Sequence, residues 1–339
     1  MKISKQQLQE ALEKVKPGLA SKELIEQTTS FAFMGDRVVT YNDEISISHP
    51  VENLDVTGAV KAQALYEFLN KLKKDEIDIE WEEKQLVIKS GKAKAGLIFE
   101  QEVKLPIEEV GEISKWKDLS EDFVDVAKFC HPCCSKDMSR PILTCVHVNG
   151  AIMEASDSYQ IIVHEISKKV PVKKFLIPST SLRELVKYEV TQIAEGDNWV
   201  HFKTKDGTIF SSRILTGDFP DISGHMDVTG IEFEFPQKTL QALEKANVFS
   251  KSDMNAGDLP IVIMEINDGS LSIKAKNEYG WFEESLRVKH KGEPARFCVG
   301  IEFMIKVLSK LQACTIDADK IKFKGDKWQH VVAMMSGDE

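Results

Sequence analysis

The chain has 339 residues, 42% hydrophobic and 29% charged, with a formal net charge of −10. It is too long for one core and suits three domains of roughly 110 residues. No apolar run reaches the ~18 residues of a membrane span, and Met1-Lys2-Ile3-Ser4-Lys5-Gln6 has no apolar signal core, so a cytoplasmic protein is expected and the acidic balance at first disfavours nucleic acid.

In chain order, the first predicted helix covers 5–16, where Leu8, Ala11, Leu12 and Val15 share one stripe. Glu44-Ile45-Ser46-Ile47-Ser48 alternates as a half-buried strand does. A second helix over 61–74 carries Leu65, Phe68, Leu69 and Leu72, and a hairpin runs from Ile77–Trp81 to Leu86–Ile88. After a linker around Gly111–Asp118 the series starts again. Phe123, Val126, Ala127 and Cys130 stripe a helix over 120–136, and Leu182, Leu185 and Val186 stripe one over 179–190. Strands follow around Gly196-Asp197-Asn198-Trp199, with turns at Asn149-Gly150 and Asp206-Gly207. Beyond a linker at Asp227–Gly230 comes a third copy. Thr239, Ala242, Leu243 and Ala246 stripe 236–251, and Met304, Val307, Leu308 and Leu311 stripe 301–311. Its strands are Ser270–Lys274 and Phe282–Val288, joined to the turn Asp268-Gly269, and a hairpin from Ile321 to Val332 around Gly325-Asp326-Lys327-Trp328. Ala11-Leu12-Glu13-Lys14 recurs as Ala242-Leu243-Glu244-Lys245. An internal repeat of this period decides the architecture. The reading is α+β: three repeated domains, 1–115, 116–228 and 229–339, each with two helices packed on antiparallel sheets.

Charge is segregated by element. The six predicted helices together carry +6, which leaves −16 on the strands and loops. A local positive surface is enough for phosphate contact, because salt confines the field to about 8–10 Å. Solvated helix faces balanced by nearby acids are the alternative.

Six cysteines with none in the first repeat do not form a disulfide framework and fit a reducing compartment. Cys130-His131-Pro132-Cys133-Cys134 offers zinc ligands, but no second cluster stands at the spacing a structural site needs. A metal-dependent enzyme is the reading this cluster allows, and buried thiols are the expectation. Phosphate-binding glycine loops, nucleophile elbows and His-Glu-x-x-His are absent. No catalytic residue, metal or cofactor is assigned.

Three local motifs then bring a family into view. Ser139-Arg140-Pro141-Ile142-Leu143-Thr144-Cys145-Val146, Ala155-Ser156-Asp157-Ser158-Tyr159-Gln160 and Gly217-Asp218-Phe219-Pro220-Asp221 occur in this order. With the threefold repeat they resemble the bacterial DNA polymerase III beta subunit, the sliding clamp. The resemblance spans nearly the whole chain and is most general in the first domain. It implies a ring made by a head-to-tail homodimer, with duplex DNA inside it and no active site. It also implies partners, the replicative polymerase and the clamp loader, that insert short apolar peptides between the middle and last domains.

Carried over by position, the peptide groove takes Leu143, Ser156, Asp157, Ser158, Tyr159, Gln160, Ile161, Pro220, Val332, Met334 and Met335. For Val331–Met335 a last core strand is the alternative. DNA contact falls to Lys22, Lys71, Arg140, Lys245 and Lys251, and the dimer contact to Val248 and Phe249. Val248 lies off the helix stripe and Phe249 on it, which makes Val248 the more informative residue. The sequence departs from the family at Ser158-Tyr159-Gln160, in place of Gly-His-Arg, and in the acidic ending Ser336-Gly337-Asp338-Glu339. These departures suit a phage- or prophage-type member. They also motivate a second reading, a clamp-like monomer that captures polymerase or loader peptides without encircling DNA.

Overall fold

In a computed structural model of the chain, the described residues are 2–82, 84–111, 113, 115–251, 259–290 and 292–335. Helices α1 (Lys5–Val15), α2 (Ala62–Lys71), α3 (Phe123–Cys130), α4 (Ser179–Leu185), α5 (Ser223–Met226), α6 (Thr239–Ala246) and α7 (Ile301–Leu308) follow in order. Each apolar stripe is turned inward. Leu8, Ala11, Leu12 and Val15 are buried on α1, and Phe123, Val126, Ala127 and Cys130 on α3. Thr239, Ala242, Leu243 and Ala246 are buried on α6. Ser4 caps α1 by accepting from the Gln7 amide at 3.2 Å.

The helices are shorter than the periodicity predicts. α3 stops at Cys130, where Pro132 has no amide hydrogen to continue the ladder, and a 3-10 turn, His131–Cys133, takes over. α2 stops when Leu72 turns extended. α6 passes into a second 3-10 turn, Asn247–Phe249.

The chain divides into two compact units. The first comprises Met1–Lys128, Val148–Ala151 and Ser167–Gly217. Its frame is a twelve-stranded sheet, eight strands from residues 2–100 and four from 117–213. The two sets meet where Ile45–Pro50 pairs antiparallel with Ile209–Arg213, Ile47 opposite Phe210. Side chains bind the same seam. Lys14 meets Asp206 at 2.5 Å, the Tyr188 hydroxyl donates to the Lys14 carbonyl, and Arg37 donates to the Gly207 carbonyl at 2.8 Å. Gly207 takes φ +85° in this tight turn, a value only glycine adopts readily.

The second unit comprises Phe129–His147, Ile152–Ile166 and Asp218–Glu339. Strands Ile152–Ser156, Gln160–Glu165, Trp328–Ala333, Lys320–Lys324, Ala313–Ile316 and Ile231–Glu234 pair antiparallel in that spatial order. Its seam joins Gln160–Glu165 to Trp328–Ala333, with Gln160 opposite Val332. A four-stranded sheet runs Gly280–Arg287, Ser270–Asn277, Ile261–Asn267, Ala295–Gly300. One core holds α6, α7 and both sheets together through Leu243, Met304, Ile273 and Phe323.

Three imidazoles are buried in these units. Burial pushes His49 and His201 down to about 4 and His330 down to about 3. A base with a depressed folded pKa contributes stability above its unfolded value of about 6.5, and that stability is lost as pH falls through the folded pKa. Each can cost up to about 1.4 kcal/mol per pH unit in that window. The urea midpoint should therefore fall between pH 7 and pH 5, before most carboxylates titrate. A midpoint constant over that range would show that the histidines are not held neutral.

Candidate functional site

The second unit contains a cavity of about 300 Å³. Its apolar lining is Leu143, Ile161, Pro220, Ile222, Val331 and Ala333. Ser156, Ser158, Tyr159, Gln160 and His225 add polar groups, and Asp221 and Lys320 add charge.

Local chemistry builds each wall. A 3-10 turn, Pro141–Thr144, presents Leu143, and the Leu143 carbonyl accepts from the Ser135 amide at 2.8 Å. The turn between Ile152–Ser156 and Gln160–Glu165 is organised by Asp157. Its carboxylate accepts from the amides of Tyr159 and Gln160 at 2.9 Å and from Gln160 Nε2 at 2.8 Å. Burial pushes the Asp157 pKa up, against these hydrogen bonds. Ser158 sits at φ +80°, a conformation costly for any residue with a Cβ. Its hydroxyl accepts from Arg140 Nη1 at 3.0 Å.

Gln160 is 2% exposed and locked from both sides. Its amide nitrogen faces Asp157, so its oxygen accepts from His330 Nε2 at 2.9 Å. This fixes the His330 tautomer and leaves Nδ1, buried, without a hydrogen-bond partner among the described residues.

Seven of the eleven residues assigned to the groove from sequence line this cavity: Leu143, Ser156, Ser158, Tyr159, Gln160, Ile161 and Pro220. Asp157 shapes the turn without lining the cavity. Val332, Met334 and Met335 do not line this cavity. Val332 is 0% exposed and packs in the core with Ile321 and Phe323. Val331 and Ala333 carry the groove face of that strand, because successive side chains alternate across a sheet. Met334 packs partly on the core, its amide donating to the Asp319 carbonyl at 2.8 Å. Met335 joins Cys298 in a backbone bridge. Val332 is one position out of parity with the groove face, which in a strand turns its side chain to the other side. Asp221, Ile222, His225 and Lys320 line the cavity outside the positions assigned from sequence. The acidic ending Ser336–Glu339 lies outside the described residues.

The proposed DNA residues are divided between the two units. Lys22 and Lys71 are exposed on the first unit, Lys22 in a bend and Lys71 closing α2. Arg140 stands at the turn beside the cavity. Lys245 and Lys251 are paired with Glu284 and Glu302, the second pair at 3.2 Å. Exposed pairs of this kind are weak and leave the cations available.

Val248 is 70% exposed, whereas Phe249 packs partly on the core. Tyr279 and Trp281 are equally exposed. Asn277 ties their hairpin to the segment after the 3-10 turn Asn247–Phe249, its amide donating to the Lys251 carbonyl at 2.9 Å and its oxygen accepting from the Tyr279 and Gly280 amides. Sequence reasoning missed both aromatics. In the first unit, strand Ala93–Glu100 pairs along Gln85–Ser90 in a hairpin that Ser90 and Ala93 close. On its other side only Phe99 and Glu100 are paired among the described residues, and Ile98 is 76% exposed.

No family model and no curated protein sequence matches the chain. Solved structures do. A DNA polymerase sliding clamp from Bacillus subtilis superposes with TM-score 0.84 at 20% identity over 99% of both chains. The DNA polymerase III beta chain from Streptococcus pneumoniae TIGR4 gives 0.83 at 21% identity, also over 99% of both. A Pseudomonas aeruginosa clamp bound to griselimycin gives 0.83 at 17%, over 99% of this chain and 98% of that one. The chain has the bacterial sliding-clamp fold from end to end.

Proposed function

We propose that this protein is a sliding clamp: a non-catalytic processivity factor that encircles duplex DNA and tethers the replicative polymerase. The observation that carries this reading is agreement in fold over 99% of both chains. Three domains, 1–115, 116–228 and 229–339, each contribute a pair of helices, the middle one also the single turn α5, and two copies joined head to tail close a ring with the helix pairs toward DNA. Tethering replaces repeated bimolecular capture with a high effective concentration. Contacts to phosphate must be weak and blind to sequence, since base readout would stop sliding. The protein works beside the replication machinery in the cytoplasm.

Two open edges support the ring. Ala93–Ile98, with exposed Ile98, is one, and Gly280–Arg287, the outer strand of the four-stranded sheet beside Val248, Tyr279 and Trp281, is the other. Unpaired strand edges invite pairing with another chain. The cavity of the second unit is the proposed site for apolar anchors of polymerase and loader peptides. The monomeric alternative rests on the altered turn at Ser158-Tyr159-Gln160.

Sedimentation separates the two readings. The wild type should run as a dimer at micromolar concentration and Val248→Asp as a monomer, because an unpaired carboxylate in a desolvated interface costs several kcal/mol. A monomeric wild type, indifferent to this change, excludes the ring. On DNA, loader-assembled protein should stay on closed circles and run off when they are linearised. Lys22→Ala and Arg140→Ala should each lower the slope of log affinity against log salt by about one for every phosphate the removed cation neutralised.

The groove has its own test. Ala333→Trp should fill the cavity and block a polymerase peptide, and Val331→Ala should weaken it by about 1–2 kcal/mol if Val331 meets an anchor. Met335→Ala should leave peptide affinity unchanged. The reverse ranking, measured by fluorescence anisotropy on folded variants, would restore the assignment made from sequence. Ser158→Gly should relieve the positive φ and raise stability by about 1 kcal/mol, less the contribution of the Arg140 hydrogen bond.

A further inference from the structure

The clamp reading leaves one sequence feature unused, the thiol-rich stretch 130–145. Cys130, Cys133, Cys134 and Cys145 are all buried thiols. Among the described residues no three His, Cys, Asp or Glu side chains converge to hold a metal ion. One thiol has a partner of another kind. Lys306 Nζ donates to Cys133 Sγ at 3.3 Å, across 173 residues of sequence.

Both partners are held by rigid elements. Met304, Val307 and Leu308 anchor α7 in the core. Lys306, partly buried on the same helix, reaches the 3-10 turn His131–Cys133, where Cys133 is 0% exposed. Burial pushes the Cys133 thiol pKa up, and the nearby ammonium opposes that shift. The amine and sulfur are thus close enough for a single oxygen atom to bridge them after a small approach.

We propose that Cys133 and Lys306 form a reversible covalent N–O–S crosslink, with dioxygen as the oxidant. One thiol, one ammonium and one O₂ give S–O–NH, one water and one proton. The O=O bond breaks, and S–O and O–N bonds form. Sulfur and nitrogen each lose two electrons, and dioxygen gains four. One oxygen atom stays in the bridge and the other leaves as water. Reduction by four thiol equivalents returns the thiol, the amine and a second water. The bridge removes one positive charge from α7 and ties that helix to the turn after α3. It does not depend on ring formation.

Peptide mapping by mass spectrometry tests this on the full chain, held either in air-equilibrated buffer or with dithiothreitol. The air-exposed protein should yield a linked peptide pair containing Cys133 and Lys306, heavier than the sum of its parts by about 14 Da, one oxygen less two hydrogens. Dithiothreitol should abolish it. So should Cys133→Ser and Lys306→Arg, while Lys310→Arg keeps it. The melting temperature of the wild type should rise on oxidation and return on reduction, because the link closes a long loop of the unfolded chain. The wild-type comparison decides the matter even if a variant misfolds. A folded, air-exposed wild type without the pair, a pair that persists in Lys306→Arg, or a disulfide among these cysteines in its place would overturn the proposal.

Discussion

Everything in this structure depends on where strand edges find partners. A backbone edge carries a row of amide and carbonyl groups that must meet another strand or water. The first unit satisfies one such edge internally, where Ile45–Pro50 meets Ile209–Arg213. The second does the same where Gln160–Glu165 meets Trp328–Ala333. Each seam joins strands more than a hundred residues apart, so local hairpins become long continuous sheets. In the proposed dimer, the edges at Ala93–Ile98 and Gly280–Arg287 repeat the same device between copies.

The seam in the second unit also places the cavity. Leu143, Ile161, Val331 and Ala333 come from the two sides of that pairing. Beneath them, the Asp157–Gln160–His330 chain of hydrogen bonds holds the turn in one geometry. A buried polar network of this kind rigidifies when its members are paired, and the unpartnered His330 Nδ1 is the point where this one is incomplete. A pocket built on a sheet junction is preorganised, so a peptide entering it orders only itself.

Much of this was legible in the sequence, and the reasons differ by element. Helical stripes such as Leu8, Ala11, Leu12 and Val15 were readable because burial imposes the helix period directly. Helix ends were not, since Pro132 stops α3 within the predicted span and Leu72 is still apolar where α2 has already ended. In the groove, the motif residues from Leu143 to Pro220 lie together in space. In the final strand the cavity is lined by Val331 and Ala333 and not by Val332. Val331 and Val332 are chemically identical, so composition cannot tell which faces the core, and only pairing with Gln160–Glu165 fixes the parity. Trp281 and Tyr279 escaped notice because an exposed aromatic on an edge strand looks, in sequence, like any strand aromatic.

The net charge and the proposed role are reconciled by geometry. A chain of −10 repels DNA at long range, yet at physiological salt that repulsion fades within about 8 Å. DNA inside the proposed ring would meet the nearest layer; helices α1–α7 as folded each carry no net charge, and the basic excess read over the longer predicted spans comes from flanking residues such as Lys16, Lys61, Lys238 and Lys251. Lys245 and Lys251 each have a carboxylate in reach, Glu284 and Glu302, so their charge is shared before any phosphate arrives. Such pairs lower the gain from each phosphate contact, because the cation must leave one anion to meet another. Weak contacts of similar strength at many positions give a shallow energy profile along the duplex. In the proposed ring, topology would supply the residence time that affinity does not, and helices without net charge would favour sliding over arrest.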